Sequence, residues 1–157
     1  MQVRQGHPRI WLTPGKIEQL RKELEGLSRP EIKILAGDSV VGKALVYAIT
    51  GDRKAGREAI DKVMQIEQFG HRRTIQNAAL CYDWCHDLLS AQEKAALQER
   101  MIQPARAAVE FGRQWRSFAN EMHQAGWRVG LVALTLYGEH TYAEKALEFV
   151  MAEWRDA

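Results

Sequence analysis

The sequence lacks the features that define several protein classes. It has only two cysteines in 157 residues, and its formal net charge is +2. No run approaches the roughly 18 apolar residues that a membrane-spanning helix needs, and the first residues form no apolar signal-peptide segment. The basic residues are spread along the chain, which argues against a nucleic-acid-binding surface. A phosphate-binding loop, a zinc-binding motif and a nucleophile elbow are also missing.

The two cysteines, Cys81 and Cys85, are four residues apart and would share one face of a helix. Neighbours at that spacing rarely meet the narrow geometry of a disulfide. Cys85 precedes His86, but two or three potential ligands without a second cluster are weak grounds for a metal site. We therefore predict two buried free thiols and no metal.

The sequence does contain a strong helical pattern. With 157 residues, of which 46% are hydrophobic and 27% charged, it is long enough for one domain with a real core. The pattern is clearest from Thr74 to Arg100, where an apolar helix-length run is followed by a charged amphipathic one. Ser90 and Glu93 stand between the two runs at the spacing of a capping box. This stretch predicts an αα-hairpin in a single all-α domain over residues 1–157.

The same helix pair recurs on either side of this hairpin. Val46–Met64 aligns with Ala133–Met151, and the matched residues Gly51 and Gly138 are 87 positions apart. Ser90 lies about midway, so the repeating unit falls within the range of about 34–47 residues that is typical of helix-pair repeats. A helix pair that cannot cover its own apolar face predicts a stacked or closed array of αα-hairpins.

Capping and breaking residues predict further boundaries. Thr13 precedes a proline and is a typical N-cap. A helix from Ile32 to Ile49 is expected to be interrupted at Gly37, and Pro104 is expected to kink or end the helix that contains it. No clean period runs from Gly112 to Gly126. Trp127–Tyr137 is apolar nearly all round, which is typical of a buried helix.

The irregular segment is the first candidate site, because loops on a rigid scaffold often carry function. Its aromatic and polar residues are Trp115, Arg116, Asn120, Glu121, His123 and Trp127. Asn120 and His123 are one helical turn apart and have the chemistry to bind sugar hydroxyls or carboxylates, while tryptophan rings can stack on sugar faces. The alternative is that Asn120 caps the following helix and His123 is a surface residue of its first turn.

Two other groups have both a chemical and a structural interpretation. Asp83 and Asp87 lie on either side of His86, and paired carboxylates can act in acid–base catalysis. On an α-hairpin, such residues more often anchor turns and neighbouring helix ends, and we favour that role. The run from His71 to Arg73 either faces an anionic ligand or is a solvated connector, and we favour the connector.

Four stretches resemble the N-terminal helical part of heparinase II/III-like polysaccharide lyases. They are HPRIWLTPGKIEQLRKEL (7–24), AITGD (48–52), AALCYDWCHDLLSAQEKAAL (78–97) and ALTLYGEHTYAEKALEFV (133–150). The hairpin around Tyr82, Asp83 and Trp84 is the most specific of them. The resemblance implies that the chain is the first part of an incomplete (α/α) toroid, followed in a longer enzyme by a β-sandwich region.

The resemblance also implies a function: cleavage of a uronate-containing polysaccharide by β-elimination, without a cofactor. By position, Asn120 or His123 would match a polar site just before a buried helix, with Asn120 helping to neutralise the uronate carboxylate. The tyrosine and histidine that move protons would lie beyond Ala157, so the fragment alone would be inactive. The implied location is periplasmic or secreted, and the implied partners are an acidic polysaccharide and the C-terminal remainder of the enzyme, with no nucleic acid and no membrane.

Two alternatives stay open at this point. One is a non-catalytic α-helical repeat that binds a protein or peptide, for which a flat exposed apolar stripe would be typical. The other is a toroid glycoside hydrolase, which would need two carboxylates facing one cleft. In this sequence, Asp83 and Asp87 are the only local candidates for that pair.

Overall fold

A computed structural model of the chain describes residues 6–69, 71–114 and 119–155. These ranges contain helices, turns and loops but no β-strand, which confirms the all-α prediction. The eight α-helices found there are α1 (Pro14–Glu23), α2 (Arg29–Ala36), α3 (Val40–Thr50), α4 (Arg53–Met64), α5 (Arg72–Trp84), α6 (Ala91–Gln114), α7 (Ala119–Leu136) and α8 (Thr141–Arg155). A short 3-10 turn, His86–Leu88, separates α5 from α6. None of the helices in the described ranges is long and apolar enough to cross a membrane.

Local signals in the sequence set several helix ends. The hydroxyl oxygen of Thr13 accepts a hydrogen bond from the main-chain N–H of Lys16 at 3.1 Å. The Ser90 N–H donates to the Glu93 carboxylate at 2.8 Å, and the Glu93 N–H donates to the Ser90 hydroxyl at 3.2 Å. These contacts confirm the N-cap at Thr13 and the capping box before α6. The predicted interruption at Gly37 is also present, because α2 and α3 are separate helices there.

Helix α6 continues through Pro104 to Gln114, so of the two predicted effects of Pro104, a kink or an end, the end does not occur. One boundary prediction needs correction. The segment from Gly112 to Gly126 is not one irregular break, since α7 begins at Ala119, eight residues before Trp127. Helices α6 and α7 pack against each other, and such tertiary contacts outweigh a lost hydrogen bond or a weak local pattern.

The helices pack in a regular order. Helix α5 lies between α3 and α7 and contacts both. Helix α4 contacts α3 and α5, α6 contacts α5 and α7, and α8 contacts α7. Helices α1 and α2 pack against α3 at the beginning of the chain. The C-terminal ends of α3, α5 and α7 lie at the same edge, because Tyr47 contacts Asp87 there and Tyr82 contacts Glu139.

Helix α5 supplies the centre of the core. Its residues from Ala78 to Trp84 are all buried, with Tyr82 fully buried and Trp84 only 7% exposed. Both aromatic side chains therefore lie within helix packing, as predicted. Cys81 and Cys85 are also buried and free. A hydrogen bond with Cys85, together with burial, raises the pKa of the Cys81 thiol.

Both aligned segments fold as a helix, a turn and a helix. Gly51 has φ 73° in the turn between α3 and α4, and Gly138 has φ 74° in the turn between α7 and α8. This region of φ is favourable for glycine. The acidic residue after each glycine has a different role. Asp52 caps α4 by accepting from two main-chain N–H groups, whereas Glu139 accepts from side chains of other segments.

Candidate functional site

The residues predicted to form a sugar site lie at the start of α7 or just before it. Trp115 and Arg116 are outside the described residues. Asn120, Glu121 and His123 lie in the first turns of α7, but their side chains are outside the described part. Trp127 is half-buried and packs against the hydrophobic core. The structure therefore gives the backbone position of the predicted site, at the N-terminal end of α7.

A second group of polar side chains lies at the opposite end of α7. We call it the polar cluster, and it consists of His7, Arg9, Tyr82, Asp83, His86 and Glu139. Its members come from the segment before α1, from the end of α5 and the 3-10 turn, and from the turn between α7 and α8. The cluster thus joins three segments that are far apart in the sequence.

Asp83 fixes the segment before α1 to the end of α5. Its carboxylate is 1% exposed. It accepts hydrogen bonds from the main-chain N–H of Arg9 at 2.9 Å, from that of Ile10 at 2.8 Å and from Nδ1 of His7 at 2.5 Å. The indole N–H of Trp84 donates to the carbonyl of Ile10 at 3.0 Å. These contacts support the structural role that the sequence favoured for Asp83.

Glu139 is the second centre of the polar cluster. Its carboxylate accepts from Tyr82 Oη at 2.7 Å, from His7 Nε2 at 2.5 Å and from His86 Nε2 at 3.1 Å, and it also pairs with Arg9 at 3.1 Å. Burial alone would raise the pKa of Glu139, but the hydrogen bonds from Tyr82, His7 and His86 outweigh it and lower the pKa to about 2. The carboxylate is therefore ionised at neutral pH.

The two histidines of the cluster are in different environments. Both ring nitrogens of His7 face carboxylate oxygens. The ring of His86 stacks on that of His7, with centroids 3.8 Å apart and planes inclined by 16°. Burial and the charge of His7 lower the pKa of His86. His86 is accordingly neutral near pH 7.

Burial and the hydrogen bond to Glu139 raise the pKa of Tyr82. Its hydroxyl also accepts from the side-chain amide of Gln98 at 2.7 Å. Tyr82 thus remains a neutral donor that orients the Glu139 carboxylate over the whole physiological pH range.

The other polar candidates from the sequence take structural positions. Asp87 is exposed and accepts from the Tyr47 hydroxyl at 2.6 Å. It therefore joins the end of α3 to the 3-10 turn and does not share a cleft with Asp83. His71 is exposed and caps α5 by accepting from the Arg73 N–H at 3.2 Å, in agreement with the predicted connector.

Sequence reasoning missed the polar cluster, although its members were visible. His7 and Glu139 are 132 positions apart in the sequence, and no short motif joins them. Two signals pointed to them without identifying their partners: the resemblance begins at His7, and an acidic residue follows the turn glycine in both aligned segments. The prediction of no metal was made without this cluster, which brings two histidines and a carboxylate together.

The two candidate sites are well separated. Asn120 is near the first residue of α7, and Glu139 follows its last turn. At about 1.5 Å of rise per residue, Asn120 and the last residue of α7, Leu136, are about 24 Å apart. The polar cluster therefore cannot belong to the same binding site as Asn120 and His123.

Comparisons with known proteins do not assign the chain to a family. No protein-family model matches it, and no curated protein matches its sequence.

Proposed function

We propose that the chain is the helical part of a heparinase II/III-like polysaccharide lyase, which cleaves a uronate-containing polysaccharide by β-elimination. The observation that carries the proposal is that three of the four stretches that resemble the family contribute residues to the polar cluster. His7 comes from HPRIW, Asp83 from YDWCHD and Glu139 from YGEH, and His7 contacts both carboxylates at 2.5 Å. Residues of separate motifs that bind one another are expected of a shared scaffold, and less so of general helical composition.

The order of helix packing also supports the proposal. Helices α3, α5 and α7 lie side by side, α4 and α6 each contact two neighbouring helices of that row, and α8 contacts α7. Two concentric layers of αα-hairpins have this order in an (α/α) toroid. On this proposal, the chain contributes one arc of the toroid, and α3, α5 and α7 form its inner layer.

The proposed chemistry demands a particular environment for the substrate carboxylate. The C5 proton of a uronate is too weakly acidic to leave while the carboxylate keeps its full charge, so the site has to bind the carboxylate more strongly as the enolate-like state develops. Asn120 is the second residue of α7. The free main-chain N–H groups of a helix N-terminus and its dipole stabilise an anion there, and a side-chain amide would add a donor.

In this arrangement, Asn120 binds the carboxylate, and His123 lies one turn further along the same face. Trp115, Arg116, Glu121 and Trp127 would contact neighbouring sugar units. The proton at C5 passes to a general base, and the departing glycosidic oxygen receives a proton from a general acid. Both of those groups would belong to the remainder of the enzyme, so residues 1–157 alone are expected to be inactive.

The test is an assay of the longest protein that contains this chain, on a panel of uronate polymers. The C4–C5 double bond of the products absorbs in the ultraviolet. We expect Asn120→Ala to lower kcat by about 10²–10³-fold with a smaller change in KM, as for the loss of one transition-state donor. Asn77→Ala, which changes the same residue type in the middle of α5, is the matched control and should leave kcat unchanged.

Other outcomes would contradict the proposal in different ways. Products without the double bond would indicate hydrolysis and hence a glycoside hydrolase. No turnover of any uronate polymer would favour the non-catalytic repeat. Equal kcat values for Asn120→Ala and the Asn77→Ala control would exclude Asn120 from the reaction even if the protein is a lyase.

A further inference from the structure

The polar cluster contains a set of side chains that suits a metal ion. In the described part of the chain, His7, His86 and Glu139 each offer a ligand atom, and these atoms all lie within 4.8 Å of one another. Two imidazoles and one carboxylate are the ligands of many catalytic zinc sites, in which a fourth position stays open. We propose that His7, His86 and Glu139 bind a divalent transition-metal ion such as Zn²⁺ or Co²⁺.

The residues that contact the three ligands also fit this proposal. Metal-binding histidines usually donate their other ring N–H to a carboxylate, which fixes the ring and makes the ligand more basic. Asp83 has this relation to His7, since its buried carboxylate accepts from Nδ1 at 2.5 Å. Nε2 of His7 is thereby directed towards Glu139. The Tyr82 hydroxyl, 2.7 Å from the Glu139 carboxylate, orients the third ligand in the same way.

The ligands are also accessible. The side chains of His86 and Glu139 are 24% and 22% exposed, so an ion can reach them from the surface.

Binding requires a local rearrangement. The rings of His7 and His86 are stacked, whereas the lone pairs of two metal ligands have to converge on one point. The ring of His86 therefore has to rotate, which its partial exposure permits. Arg9 has to give up its contact with Glu139 while keeping its hydrogen bond to the carbonyl of Thr135. The guanidinium charge opposes a cation, so we expect weaker binding than at a structural zinc site.

The test is a titration of metal-free protein, residues 1–157, with Co²⁺, followed by the visible absorption of the bound ion and by competition with Zn²⁺. We expect one ion per chain. His86→Ala should weaken binding by about 100-fold. Asp83→Asn should weaken it by about 10–100-fold, as is typical when a residue that orients a metal ligand is changed. His71→Ala removes an exposed histidine that is not in the cluster, and binding should be unchanged.

Far-UV circular dichroism of each variant tests whether it remains folded. We expect His86→Ala to fold, because Glu139 keeps its contacts with Tyr82, His7 and Arg9 in that variant. Folded wild-type protein that binds no Co²⁺ or Zn²⁺ would overturn the proposal. Equal affinities of wild type and His86→Ala would overturn it as well, because the ion would then bind elsewhere. Neither result depends on lyase activity.

Discussion

Asp83→Ala should destabilise the protein more than any other single carboxylate change in the described residues. The substitution removes a buried acceptor that serves the main-chain N–H groups of Arg9 and Ile10 and the ring of His7. No other acceptor is seen for these two amides among the described contacts. Because Ile10 is only 5% exposed, water replaces the lost carboxylate poorly there.

The cost follows from the number of donors that lose their partner. A buried donor without an acceptor costs about 1–3 kcal/mol, and three donors are affected. Allowing for water at the less buried ones, we expect a loss of about 4–6 kcal/mol from a total that is typically about 5–15 kcal/mol. At about 2–4 °C per kcal/mol for a domain of this size, the melting temperature should fall by about 10–20 °C.

Urea unfolding, followed by far-UV circular dichroism and tryptophan fluorescence, measures this loss. Asp87→Ala is the matched control, since Asp87 is exposed and its one contact among the described residues is with the Tyr47 hydroxyl. This change should cost about 1 kcal/mol or less. Asp83→Asn keeps one acceptor oxygen and should fall between the two. If Asp83→Ala and Asp87→Ala differ by less than about 1 kcal/mol, then Asp83 does not hold the segment before α1.

Four further variants test the packing and the charge state. Trp84→Ala should cost about 3–5 kcal/mol, as for other large core truncations, in the same urea experiment. Gly56→Ala should cost about 1–3 kcal/mol, because its methyl group would overlap both the Leu88 side chain and the rigid ring of Tyr47. In contrast, Gly130→Ala, whose methyl group would make ordinary contacts of 3.6 Å or more, should stabilise α7 by up to about 1 kcal/mol. Finally, the folded-state pKa of Glu139, about 2, is below the ordinary value of 4.5. The stabilisation of the folded state by the ionised Glu139 is therefore complete above pH 4.5 and is lost as the pH falls towards 2. This amounts to about 3 kcal/mol, and acid titration of Glu139→Gln should lack that component.

The features that the sequence predicted correctly are those with local causes. The capping box of Ser90 and Glu93 depends on residues three apart, and the burial of Tyr82 and Trp84 follows from one apolar run. The sequence left open whether α6 ends at Pro104, because the packing of α6 against α5 and α7 is not visible in it. The early start of α7 was missed for the same reason, since its first residues have no clean apolar period.

The polar cluster was beyond sequence reasoning for a different reason. Its contacts join positions that are 76 and 132 residues apart, and a single sequence contains no record of such pairings. The residue type did not reveal the role of Asp83 either. An aspartate in a helix has the same local sequence pattern whether it lies on the surface or acts in catalysis. Only the packing of α5 against α7 shows that the carboxylates of Asp83 and Glu139 face one histidine.

The positions of the two candidate sites lead to one further prediction. Asn120 and Glu139 are at opposite ends of α7, about 24 Å apart by helical rise, and substitutions at that distance without shared partners usually act independently. Asn120→Ala should therefore lower kcat without changing the free energy of unfolding by more than about 0.5 kcal/mol. Glu139→Gln should lower stability and metal affinity without a selective loss of kcat, and the double variant should show the sum of both effects within about 0.5 kcal/mol. A coupling energy above about 1 kcal/mol would mean that the two ends of α7 communicate, and the polar cluster could no longer be treated as separate from the proposed polysaccharide site.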